Sequence, residues 1–155
     1  MRKMRFASAV VVVVGLGVVG CAEPNSLSGS IDSSHDLTFD AVGLRLFTDQ
    51  KAYELKYTKL LDSGDTDVVA KVVFDVPSES VPLGTAIDLL DTNGKVERIT
   101  AANDPFPDLE SGSITFAAGG SDEGSTTTGE FASTFTNGRT LNGTFETELE
   151  FASFE

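Results

Sequence analysis

An apolar–polar alternation of period two runs through the C-terminal part of this chain and restricts it more than any other feature. Side chains along a strand point alternately to opposite faces, so such a pattern sorts residues into a buried and a solvated set. The sorting depends on how the connection Thr136-Asn137-Gly138-Arg139 is counted. A two-residue turn on Asn137-Gly138 pairs Phe135 with Thr140 and Glu130 with Phe145, mixing apolar and polar residues on both faces. A three-residue loop, with Gly138 as a left-handed bulge, pairs Phe135 with Arg139 and Ser133 with Leu141. Phe131, Phe135, Leu141, Phe145, Leu149 and Phe151 then share one face, and Asn142, Thr144, Glu146, Glu148 and Glu150 share the other. It also sets Phe131 across from Gly143 and Phe145 across from Gly129, where a ring can cover a residue without a side chain. The three-residue loop is therefore expected.

The same period recurs upstream. Tyr53, Leu55 and Tyr57 oppose Glu54 and Lys56; Val68, Ala70, Val72, Phe74 and Val76 oppose Lys71 and Asp75; Ile114, Phe116 and Ala118 repeat it. Between Leu37 and Phe47 the apolar set changes parity, which calls for a bulge or break near Asp40 to Gly43. Asp91-Thr92-Asn93-Gly94-Lys95 reads as a second three-residue hairpin loop, pairing Asp91 with Lys95, Leu90 with Val96 and Asp88 with Arg98. Strands are expected near 27–31, 37–47, 52–60, 68–76, 85–90, 95–100, 112–118, 129–136 and 139–151. No window shows a helical period. The expected fold is all-β: an antiparallel β-sandwich of about eight or nine strands, with a small closed β-barrel as the alternative.

The N-terminus differs in kind. Met1 to Arg5 is basic, and Phe6 to Gly20 is apolar or small, with Val10 to Val14 in a row. This is the layout of a secretory signal peptide. It is shorter than a membrane span wants and is interrupted by Gly15, Gly17 and Gly20. The boundary Val18-Val19-Gly20-Cys21 resembles the lipobox of bacterial lipoproteins. The resemblance implies a diacylglyceryl group on the Cys21 thiol, cleavage before Cys21 and attachment to a membrane by two or more acyl chains. In that family an aspartate after the cysteine retains the protein at the inner membrane; Ala22 here implies the outer membrane of a two-membraned host. The expected organisation is a signal peptide over 1–20, a lipidated cysteine and short tether over 21–26, and a single β-domain over 27–155. The Gly-x-Phe hairpin of the last strands also resembles hairpins in bacterial surface lipoproteins of no assigned function.

Charge and cysteine use narrow the partners. The formal net charge is −13, and losing the leader's Arg2, Lys3 and Arg5 leaves −16. Phosphate recognition needs clustered Lys and Arg, so no nucleic-acid partner is expected. The same charge keeps the body off an anionic bilayer and keeps copies apart, which fits a monomeric body. A single cysteine allows neither an internal disulfide nor a cysteine-based zinc site.

Candidate chemistry is sparse. Ser34-His35-Asp36 holds the letters of a catalytic triad around the only histidine, but sequence neighbours do not form one unaided; a solvated loop histidine is the simpler reading. Asp62, Asp65 and Asp67 surround Gly64 and could offer oxygen ligands to calcium, though they lack EF-hand spacing and read more simply as a polar turn. Glu146, Glu148 and Glu150 form an acidic stripe whose simplest role is to discourage sheet stacking. Gly119 to Ser125 reads as a flexible acidic connection, not a phosphate loop. Phe106, between Pro105 and Pro107, could contact a ligand or could plug the end of its own domain. No cofactor motif is present, and none is expected. The expected role is non-enzymatic: a membrane-tethered binding module or envelope component, acting on an envelope protein or small ligand. A small-ligand carrier is second, and an enzyme such as a glycoside hydrolase third.

Overall fold

The computed structural model describes residues 24–75 and 81–153. The leader, Cys21, Ala22 and Val76 lie outside the described residues. All nine expected strands form: β1 (Ser26–Ser28), β2 (Ala41–Phe47), β3 (Ala52–Leu60), β4 (Thr66–Asp75), β5 (Ala86–Asp88), β6 (Lys95–Ile99), β7 (Leu109–Ala118), β8 (Thr126–Phe135) and β9 (Thr140–Ala152). They make one sheet in the order β5-β7-β8-β9-β2-β3-β4-β6, with β1 added beside β9. The sheet is mixed, not purely antiparallel as expected. Leu44 to Phe47 of β2 run parallel to Leu149 to Ala152 of β9. The cause is the length of β9. Its first part takes β8 on one edge and β1 on the other. Its last residues outrun β1 and leave an open edge, which β2 fills. No turn signal marks such a pairing, because its partners are distant in sequence.

The sheet curls until its two halves meet. The ring of Tyr53 on β3 lies 5.6 Å from Phe116 on β7, and Tyr57 lies 6.0 Å from Phe131 on β8. Phe116 also meets Phe145 edge-on at 5.6 Å. Leu44, Leu55, Val72, Phe74, Ile114 and Leu141 complete an interior from which water is excluded. Each such side chain contributes roughly 1.5–3 kcal/mol relative to exposure, so the inward parity dominates the stability of every strand.

The C-terminal hairpin has the register expected from its pattern. Ser133 faces Leu141, Phe131 faces Gly143, and Gly129 faces Phe145. The Phe135 N–H donates to the Arg139 carbonyl, and Gly138 takes φ +77. A Cβ on Gly143 would run into the Phe131 ring, and one on Gly129 into the Phe145 ring. Phe151, near the end of β9, remains 39% exposed.

Three local expectations need correction, while the parity change behaves as expected but shortens its strand. The strand expected over 27–31 ends at Ser28, and Ser30–Ser33 form a 3-10 turn that buries Ile31. The parity change near Asp40 is a break; β2 begins at Ala41, and the Asp40 carboxylate accepts the Leu60 N–H. Ala118 leaves the inward face because the β7–β8 register shifts after Phe116. The hairpin over Asp91 to Lys95 does not form. Pairing Leu90 with inward-facing Val96 would turn Leu89 outward, yet Ile87, Leu89 and Val96 are all buried. Leu90–Thr92 instead make a 3-10 turn that carries the chain from β5 across to β6, which pairs with β4. Asp88 starts that turn by accepting the Leu90 N–H, and Asn93 ends it with φ +52.

The aromatic–glycine pairs give a direct test. Gly143→Ala should destabilise the protein by about 1–3 kcal/mol in urea unfolding, through overpacking against Phe131. Gly43→Ala, on β2 with open space around its Cβ position, should change stability by less than about 1 kcal/mol.

Candidate binding groove at the open seam

The strand order has two ends, β5 and β6, and no ladder joins them among the described residues. The 3-10 turn crosses this seam. On its β6 side lies a groove of about 530 Å³. One wall is Lys95 to Ile99 of β6, and the other is the Pro105 to Leu109 segment that leads into β7. Leu90 and Ile99, two of the few large apolar side chains left more than half exposed, lie along it.

Arg98 organises the floor. It shares the inward parity of Val96, and its side chain is only 7% exposed. A buried guanidinium must have its donors met. One Nη donates to the carbonyls of Asp36 (2.9 Å) and Val69 (3.2 Å). The Val69 carbonyl is available because the β4–β6 register shifts between Val68 and Lys71. Nε lies 3.2 Å from the Asp104 carboxylate, an ion-pair contact without the alignment of a hydrogen bond. The guanidinium also sits 5.9 Å from the centre of the Phe106 ring. The Thr100 hydroxyl, donating to Asp104, and then Arg98 hold that carboxyl below its ordinary range.

Phe106, the loop candidate of the sequence, is drawn inward. Its ring packs on Phe135 at 5.3 Å and edge-on against His35 at 5.2 Å. It plugs one end of the core, while the prolines on either side line the groove. The letters Ser34-His35-Asp36 are not assembled into a relay. The Ser34 hydroxyl bonds His35 Nδ1 and accepts from Arg139, while Asp36 faces Lys59 at 2.7 Å and the Thr38 N–H and hydroxyl. Lys59 first, then Thr38, hold the Asp36 carboxyl well below the usual range.

The other candidates are dispersed. Asp65 accepts from the Ser63 hydroxyl, and Asp67 accepts the Ala101 N–H, pinning the loop after β6. With Asp62 they form no metal-holding group among the described residues. Gly64, at φ +88, shapes the turn between β3 and β4. In the acidic stripe, Glu150 pairs with Arg45 at 2.9 Å on the outer face. The segment at Gly119 and Gly120 is tied down, unlike the free connection expected. The Tyr53 hydroxyl donates to the Gly120 carbonyl, and the Gly120 N–H donates to Thr127. Burial pushes the Tyr53 hydroxyl up to about 12.

Arg98 is the residue that sequence reasoning misplaced, by pairing it with Asp88. Its signal was present: a cation two residues from Val96 falls on the buried face of the same strand. No family model, curated protein or solved structure matches this chain.

Arg98→Met should cost about 2 kcal/mol in urea unfolding and loosen the Thr100–Asp108 loop in hydrogen exchange. Asp104 has a folded value below its ordinary 3.8, so its ionised form stabilises the fold. That contribution is complete above 3.8 and is lost as pH falls below it. Asp104→Asn should therefore lower the melting temperature at pH 7, and the gap to the parent protein should narrow below pH 4.

Proposed function

We propose that this chain is a bacterial lipoprotein, cleaved before Cys21, held by lipid on that cysteine at the outer membrane, and acting as a non-enzymatic binding module through the seam groove. The basic-then-apolar leader ending in Val18-Val19-Gly20-Cys21 supports the anchor. The groove is the observation that carries the binding role. Its size is ordinary for a ligand site, and it combines exposed apolar side chains with a fixed cation.

The point where the chain joins the body lies on β9. Asn25 accepts the Glu146 N–H, and Ser26 to Ser28 pair with β9, so the body is stitched to the chain from Asn25 onward. Four residue steps from Cys21 to Asn25 reach about 14 Å at most. The tether joins β9, midway along the strand order, and the seam lies at the ends of that order.

Two features favour surface binding over carriage inside the body. The interior is occupied by interlocked rings of Tyr53, Phe74, Phe116 and Phe145. The unjoined ends β5 and β6 support a sandwich with β9 shared between its halves over a closed barrel. Binding is preferred to catalysis because Asp36 is engaged with Lys59 and Thr38, so the Ser34–His35 hydrogen bond is not backed by that carboxylate.

Mass spectrometry of the full-length product, extracted gently from its host membrane, tests the anchor. The expected mass begins at Cys21 and carries added acyl chains, and Cys21→Ser should release the protein from the membrane fraction. A product retaining residues 1–20 overturns the reading.

A further inference from the structure

We infer that the seam accepts an extended peptide segment of another protein, added as a strand to the free edge of β6 and held by an acidic side chain opposite Lys95. The inference rests on the proposed binding role and names the class of partner. β6 pairs with β4 along one edge and has no ladder on the other among the described residues. The natural partner for that edge is the chain that follows, which turns back at residues 100–104 and runs alongside. It does not pair. The Asp108 carbonyl accepts the N–H of Thr136, just past the end of β8, at 2.9 Å. Pro105 and Pro107 line the groove on the side opposite β6. Proline has no N–H to offer. Two prolines in five residues therefore leave the segment beside β6 short of the donors that a ladder would need. The Phe106 ring, drawn under Arg98, fixes the segment in that orientation.

What remains on β6 is a row of backbone groups beside a groove, the arrangement used when a peptide adds a strand. Its side-chain chemistry narrows the occupant. Lys95, Glu97 and Ile99 share the outward parity of β6. Glu97 is paired with Lys71 at 2.7 Å across β4, while Lys95 has no ion pair among the described residues. In a body of net charge −16, that ammonium is complementary to a carboxylate on the incoming strand. Exposed Ile99 and Leu90 suit apolar neighbours on the same strand. A second copy is disfavoured, because two such bodies repel and the 105–109 wall obstructs a whole sheet where a single segment fits.

The test uses the purified full mature chain and two ten-residue peptides copying Thr66–Asp75, the sequence that β6 already accepts as β4. One carries Val73→Glu and the other Val73→Lys, at the position that faces Lys95 in the native ladder. The glutamate peptide should slow amide exchange across Lys95–Ile99 and bind about fivefold tighter than the lysine peptide. Lys95→Glu in the protein should invert that order while leaving its melting temperature near the parent value. Equal binding of both peptides, protection at β1 or β5 instead, protection that rises with protein concentration alone, or no protection of β6 each overturns the inference. The readout is independent of lipid on Cys21, so failure of the anchor reading would leave this result standing, and the reverse.

Discussion

Strand β9 carries the fold. Its inward residues, Leu141, Gly143, Phe145 and Leu149, keep one parity with half-buried Thr147 between the last two, so the strand holds its pattern while its neighbours change. Thr140 to Glu148, nine of its thirteen residues, belong to the β8 hairpin, and its last four receive β2 in parallel. A strand shared in this way forces the sheet to curl, because the two sets of neighbours bury their apolar faces against the same interior. The ring contacts of Tyr53 and Tyr57 with Phe116 and Phe131 are the consequence. Gly129 and Gly143 allow that interior to close, since each leaves the space that a phenylalanine from the opposite strand occupies.

The curl has a cost at its two ends. β5 and β6 approach one another with unequal edges, and the short turn after Leu89 bridges them without a ladder. Below the turn, a charged side chain does work usually given to a leucine. Arg98 reaches inward and ties together the bulge of β4, the Asp36 carbonyl and the returning loop at Asp104. This satisfies a buried cation and fixes Phe106 over the core. It also sets the Pro105–Leu109 wall at a distance from β6, so the end that closes the core is the end that opens the groove.

Much of this was legible in the chain. Strand number, the inward faces of β3, β8 and β9, and the bulged C-terminal loop all follow from period-two alternation and one glycine-bearing turn. The misreadings share a cause. At Asp91 to Lys95, local charge pairing favoured a hairpin worth a fraction of a kcal/mol per pair, whereas burial of Leu89 outweighed it. The parallel β2–β9 pairing had no local marker at all. The candidate site was less legible than the fold: Phe106 was visible as an odd aromatic, and Arg98 only as half of a surface pair, because its partners Asp36, Val69 and Asp104 come together solely through the curl.

The sequence by itself determined most of the inward residues of β3, β4, β8 and β9, how many strands form, the bulged C-terminal turn, and the leader pattern that ends at Cys21. These are local properties, set by side-chain period, glycine placement and composition within a few residues. Tertiary structure alone decided which strands became neighbours, that the sheet is mixed, that Arg98 is buried, and that the edge of β6 is left unpaired beside a groove. Those outcomes depend on contacts between residues far apart in the chain. They were settled by competition among whole faces for one interior, which no stretch of sequence encodes on its own.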